Sequence, residues 1–259
     1  MLSWFRSQVN EHGLLPATLL LSRVLRYRIP VVLSNRLLPD KLECPCCGWK
    51  GRRFLDYIEL GYHIPNAACP NCDSHSRHRA LYLWLKNEFH LENKSGWALI
   101  FAPERALAPL WQSARKLRTI KVDIEAARGV DLLADVMRLP LANESVELIW
   151  CHHVLEQVED DKAALGELYR TLASTGGEMV VSVGLTGKET TQEFGGVNPM
   201  LSGNRRLYGS DFCKRLEETG FAVKPMSYAL TEKEAERYAV YPETFYHCTR
   251  STRATNTSF

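Results

Sequence analysis

At 259 residues, with 45% hydrophobic, 10% aromatic and 24% charged residues, the chain has room for one full-sized domain and a small appendage, and its balance excludes wholesale disorder and a coiled coil. Net charge is only +2 but uneven: residues 1–90 carry 12 Lys+Arg against 7 Asp+Glu, the remainder 20 against 23, which suits an anionic partner for the N-terminal part without demanding nucleic acid. The longest uncharged stretch near the N-terminus, residues 12–22, is too short to cross a bilayer and continues into Arg23, Arg26 and Arg28 rather than a cleavage site, so neither a transmembrane segment nor a secretory signal is expected.

Residues 1–40 read as a basic arm, irregular or helical, in which Pro16, Pro30 and Pro39 interrupt any continuous helix. An amphipathic element resting on a membrane surface or a partner is an open alternative for it. Residues 41–76 contain two cysteine knuckles, Cys44-Pro45-Cys46-Cys47-Gly48 and Cys69-Pro70-Asn71-Cys72-Asp73. Each CxxC turn presents two thiolates on one side, and two such turns complete the tetrahedral shell of a structural zinc, so Cys44, Cys47, Cys69 and Cys72 are the expected ligands of a zinc ribbon. Cys46 lacks the two-residue spacing and is an extra thiol, while Gly48 and Asp73 are residue types that tolerate a left-handed turn. His63, His75 and His78 are surface groups or neighbours of a shell that four cysteines already fill. Cys151, Cys213 and Cys248 are scattered singly, which favours metal in a reducing, cytoplasmic compartment over a disulfide framework. A short strand is expected over 53–58 and a helix over 77–91, where Leu81, Trp84, Leu85 and Phe89 recur at helical spacing.

From there the pattern is α/β. Strands are expected over 98–102, 119–123, 131–135, 146–151, 178–184, 221–225 and 244–249, and helices over 105–116, 160–172 and 210–219. Alternation of this kind calls for a parallel sheet covered on both faces, whose ligands sit beyond the carboxyl ends of the strands. Asp123 ends one expected strand and Asp135 the next; a carboxylate beyond a second strand is placed to accept ribose hydroxyls, and either residue alone is equally a turn former. Trp84 and Trp111 read as core, and residues 186–206 as a substrate lid or a plain surface loop.

The strand over 146–151 leads into His152-His153-Val154-Leu155-Glu156-Gln157-Val158, then a helix with Glu167, Leu168, Tyr169, Arg170 and Leu172, then Gly176-Gly177 and another strand. Over 98–223 this resembles the class I S-adenosylmethionine-dependent methyltransferases, specifically the type 11-like group with an HVLEHV…D…EL.R.LKPGG segment. Two further segments are similar to a subgroup with a CPxCxSxxRHR knuckle-helix and an HFAPE-like first loop: Cys69-Pro70-Asn71-Cys72-Asp73-Ser74-His75-Ser76-Arg77-His78-Arg79 and Phe101-Ala102-Pro103-Glu104-Arg105. The resemblance implies a Rossmann-like methyltransferase sheet over 77–259 behind the ribbon, with adenosylmethionine held near Ala102, Glu104, Asp123, Asp135 and Cys151.

The chain departs from the group in two places. Ala102 stands at the first glycine position of the cofactor loop and is followed by Glu104 and Arg105, so the cofactor carboxylate needs another cation; Arg77 is favoured, with Arg79 and Arg105 as competitors. Gln157 stands where the group has histidine, which removes any general base carried there and leaves His152 and His153 as catalytic candidates. The acceptor is expected to be a small molecule or glycan. RNA or protein docked through the ribbon, or a non-catalytic interaction module, are the alternatives, and the residues do not indicate an oligomeric state.

Overall fold

The computed structural model describes residues 2–58, 62–126 and 129–251. The chain begins with helices α1 (Leu2–His12) and α2 (Leu14–Leu37), strands β1 (Leu42–Glu43), β2 (Lys50–Gly51), β3 (Leu55–Ile58) and β4 (His63–Ala68), and helix α3 (Ser76–Asn87). It continues through β5 (Gly96–Phe101), α4 (Ala108–Ser113), β6 (Leu117–Asp123), β7 (Leu132–Leu133), β8 (Leu148–His152), α5 (Asp161–Thr171) and β9 (Glu178–Ser182). Strands β10 (Gln192–Asn198) and β11 (Asn204–Leu207), helix α6 (Phe212–Thr219), β12 (Phe221–Met226), α7 (Glu232–Tyr238) and β13 (Phe245–Arg250) follow. Two compact units result: Met1–Trp84 with Ala229–Tyr241, and Leu85–Tyr228 with Pro242–Phe259.

In the first unit, helix α2 is not broken at Pro16 or Pro30, contrary to expectation, and it ends at Leu37, ahead of Pro39. Pro16 sits in the first turn of α2, where a missing N–H costs nothing, and the helix continues through Pro30. The buried residues Ala17, Leu20, Val24 and Val31 form one face on both sides of that proline, and Leu20 and Val24 pack with Ile58 of β3, so tertiary docking holds together a helix that local propensity would break. The Asn35 side chain accepts from the N–H groups of Arg52 and Arg53 at 2.7 and 2.8 Å, fixing the far end of α2 to the ribbon.

The ribbon consists of two antiparallel hairpins, β1–β2 and β3–β4, each beside one knuckle. The sequence divides the chain at residues 40 and 76, but the observed unit takes in the start of α3 and helix α7 as well. Arg79, with no solvent exposure, is the reason: it stacks on Phe54 and donates to the carbonyls of Ala67 and Ser74 in the ribbon and of Tyr238 and Ala239 at the end of α7. Such a return of the chain leaves no trace in local periodicity. Helix α7 itself had a legible start, since Thr231 and Glu234 close a capping box.

The second unit is built on a seven-stranded sheet of order β12-β13-β9-β8-β5-β6-β7. Strands β6, β7, β8 and β9 run parallel to β5, and β13 lies antiparallel between β9 and β12. Strand β8 is buried along its whole length and β5 from Ala98 to Phe101, as a sheet covered on both faces requires. Each expected strand is present, with the third reduced to Leu132–Leu133: Asp135 turns back into a bridge with Arg138 and ends this edge strand early. Helix α5 starts at Asp160, whose carboxylate accepts from the N–H groups of Lys162 and Ala163, and it buries Ala164, Leu165 and Leu168 in the core. The region expected as a lid or loop is the hairpin β10–β11. Trp84 and Trp111 are buried, as expected.

Candidate functional site

The chain runs outward from β5 through β6 and β7, then crosses to the other side of β5 as β8, and a ligand belongs in the crevice at that switch point. A cavity of about 330 Å³ lies there, within the range of small-molecule sites. Phe101 and Ala102 reach it from β5, Val122, Asp123 and Ile124 from β6, and Ala134, Asp135, Val136 and Met137 from the turn after β7. His153, Val154, Gln157, Val158 and Glu159 follow β8, and Arg205 comes from β11.

Asp123 and Asp135 therefore line one cavity. Each accepts a hydrogen bond from the backbone N–H two residues on, Glu125 at 3.1 Å and Met137 at 2.8 Å, which fixes the carboxylate at its strand end. Ala102 has φ of +45°, in the left-handed region, so the loop keeps the backbone conformation of a glycine although a methyl group has been added, at a cost of about 1–2 kcal/mol. Three carboxylates, Asp123, Asp135 and Glu159, face one guanidinium, Arg205, and the balance favours a cationic ligand.

The other predicted residues are placed differently. Cys151 has no exposure and does not line the cavity, and burial pushes its thiol well above the ordinary range. Glu104 also lies off the lining; its Oε1 is 3.3 Å from Nε2 of buried His152, whose Nδ1 meets Ser182 Oγ. His152 thus ties β8 to β9 and to the loop after β5. His153 does line the cavity, with Nδ1 2.6 Å from Glu156 Oε1 and Nε2 3.7 Å from Glu243 Oε1. Glu156, 1% exposed, also accepts the Gly184 N–H at 2.6 Å and fixes the ring from one side.

Among the arginines, Arg79 is committed to four carbonyls and Arg105 does not line the cavity; Arg77 belongs to the first unit, where its Nε is buried with no hydrogen-bond partner among the described residues. Sequence reasoning missed Arg205, whose neighbour Arg206 is the structural one. Arg206 donates to the carbonyls of Leu155, Val158 and Glu159 and pairs with Glu193 at 3.0 Å, locking the hairpin onto the segment after β8. Period-2 alternation then turns Arg205 the other way, the one signal that was available. Ile124, 71% exposed at the tip of β6, was also missed. The motif pair Glu167 and Arg170 serves the fold: Arg170 holds the carbonyls of Leu139 and Leu141, and Glu167 accepts the Leu139 N–H.

In the ribbon, the two knuckles repeat one geometry. Gly48 N–H bonds to Cys44 O and Asp73 N–H to Cys69 O, with φ of +72° and +62° at Gly48 and Asp73, as the residue types predicted. The Sγ atoms of Cys44, Cys47, Cys69 and Cys72 all lie within 4.8 Å of one another, with Cys44–Cys72 at 3.6 Å and Cys47–Cys69 at 3.7 Å. A tetrahedron with metal–sulfur bonds of about 2.3 Å has edges of about 3.8 Å, so the donor set fits zinc in both chemistry and size. Cys46 is buried outside this quartet, 3.9 Å from the His78 carbonyl.

With this geometry established, comparison with known proteins gives a family for the segment. Residues 107–180 match the methyltransferase domain family, a stretch that runs from the start of α4 into β9 and contains Asp123, Asp135, His152 and His153. The malonyl-[acyl-carrier protein] O-methyltransferase of Gallionella capsiferriformans is 35% identical over 100 residues, 38% of this chain and 34% of that protein. Its counterpart from Laribacter hongkongensis is 32% identical over 94 residues, 36% and 32% of the two chains. The chain spans about a third of the length of these curated relatives. Among solved structures, an S-adenosylmethionine-dependent methyltransferase from Archaeoglobus fulgidus aligns with a TM-score of 0.49 and 12% identity over 67% of this chain and 94% of that one.

Proposed function

We propose that the chain is an S-adenosylmethionine-dependent methyltransferase acting on a small molecule that carries an anionic group. The observation that carries this reading is the cavity at the switch point, where Asp123 and Asp135, from the segment matching the methyltransferase domain family, converge with Ala102, which lies just ahead of that segment. The residues fit the cofactor. Asp123 would accept from the ribose hydroxyls, Asp135 from the adenine amino group, and Ile124, Val136, Met137 and Val158 offer apolar walls to the adenine ring. The carboxylate excess suits a ligand bearing a sulfonium and an ammonium.

When bound, adenosylmethionine supplies an activated methyl group, so the protein's task is to bind, orient and exclude water. Arg205 would hold an anionic group, of the acceptor or of the cofactor, by charge-assisted hydrogen bonds. His153, fixed through Glu156, would shape the acceptor side of the cavity; an acceptor carboxylate is already ionised near neutral pH and needs no base, in keeping with Gln157 in place of histidine. The names of the two curated relatives support a carboxylate acceptor on a malonyl thioester. In the ribbon, Cys44, Cys47, Cys69 and Cys72 would hold one structural zinc. The test is transfer of a labelled methyl group to a panel of short dicarboxylate thioesters, free dicarboxylates, glycans and RNA. Labelling of the acid class is expected, labelling of RNA alone would replace this acceptor by the nucleic-acid alternative, and no labelling of any class would leave a binding module.

A further inference from the structure

We infer that helix α2 docks the protein on an anionic phospholipid bilayer surface, lying in the plane of the headgroups. The helix carries two apolar faces. Ala17, Leu20, Val24 and Val31 are spent on the unit it belongs to, while Leu15, Leu19, Ile29, Leu33 and Leu37 remain exposed, from 51% at Leu33 to 77% at Leu37. At 100° per residue these five fall on one stripe, which spans about 33 Å at 1.5 Å per residue. A shallow groove of about 260 Å³ lined by Leu15, Pro16, Leu19, Leu20 and Arg23 runs along the flank between this stripe and the buried face. No helix of the described residues is long and apolar enough to cross a membrane, so the stripe would lie on a bilayer rather than span it.

Charge selects the occupant. Residues 14–37 contain four arginines, Arg23, Arg26, Arg28 and Arg36, and no aspartate or glutamate. Arg23, Arg26 and Arg36 are exposed on or beside the stripe, where long side chains keep their guanidinium groups at phosphate level while their stems lie against apolar surface. A second copy of the helix would bring arginine against arginine with no acid to compensate, so self-association is disfavoured. A bilayer with anionic headgroups satisfies both the stripe and the arginines, and it needs no shaped pocket.

The experiment is co-sedimentation of the full chain with vesicles of phosphatidylcholine alone or with 30% phosphatidylglycerol, with light scattering of the protein by itself. Partitioning to the anionic vesicles at least tenfold above the neutral ones is expected. Each Arg→Gln change among Arg23, Arg26 and Arg36 should lower it about fivefold, and Leu33→Ser with Leu37→Ser should lower it at least as much while zinc content and helicity are retained. Equal partitioning to both vesicles, anionic binding indifferent to the two leucines, or a dimer that the leucine changes convert to monomer would each overturn the inference, the last by assigning the stripe to a second copy. None of these readouts depends on methyl transfer.

Discussion

At the level of single residues, strand ends place the few side chains that define the cavity. Ala102 holds a glycine's backbone conformation. Ala102→Gly should therefore raise stability by about 0.5–1 kcal/mol, the relief of left-handed strain less the added chain entropy, in denaturant titrations. Arg205→Ala should raise KM for an anionic acceptor, or weaken cofactor binding if it holds that carboxylate, by tenfold or more, whereas Arg105→Ala leaves both unchanged. Unchanged parameters for Arg205→Ala would show that backbone groups alone serve the anion. Asp123 and Asp135 were legible because a strand-end carboxylate follows directly from the α/β pattern. Arg205 was not: it reaches the cavity from a hairpin that follows β9, and only the commitment of Arg206 to three carbonyls reveals which way it faces. Histidine identity was legible and role was not, since His152 and His153 are adjacent and β8 sends one into the sheet and the other to the cavity.

Elements were readable where chemistry is local. The knuckles declared themselves by spacing alone, and the four Sγ atoms meet as that spacing requires. Cys69→Ala should drop bound zinc from about one per chain to near none, measured by metal analysis, and should lower the thermal midpoint of the holoprotein. Retention of full zinc would contradict the assignment. Two features escaped because distant packing made them: α2 persists through Pro30, and the end of α7 is held by Arg79, 159 and 160 residues earlier in the chain than the two carbonyls it binds there. Strand β9 gives a pH prediction. Burial alone would raise the carboxyl of Glu178, but hydrogen bonds from His247 at 3.0 Å and Lys94 at 2.5 Å outweigh it and lower it below the ordinary value of 4.5. A depressed carboxyl stabilises the fold fully above its unfolded value and loses that contribution as pH falls through its folded value. Urea melts should therefore show Glu178→Gln to be less stable than the parent at pH 7, with the gap closing below pH 4.5. A gap that widened on acidification would refute the sign.

The whole molecule joins a ribbon-bearing unit to an α/β unit whose switch-point cavity is the candidate methyl-transfer site. The parallel core of the sheet and the search for ligands at its strand tips followed from the alternation of elements, whereas the order of the strands and the antiparallel insertion of β13 between β9 and β12 did not. The pairing of residues 229–241 with the N-terminal unit did not, because long-range return of a chain has no periodic signal. The family match covers residues 107–180 only, so the loop at Ala102 and the arginine at 205 must be judged by what they bind. Calorimetric titration of S-adenosylhomocysteine into the parent and into Asp123→Ala tests this most directly. Saturable one-to-one binding that weakens tenfold or more in the variant, with its fold intact, is the predicted result. No binding to the parent, or the same affinity in both proteins, would contradict the placement of the cofactor at this cavity.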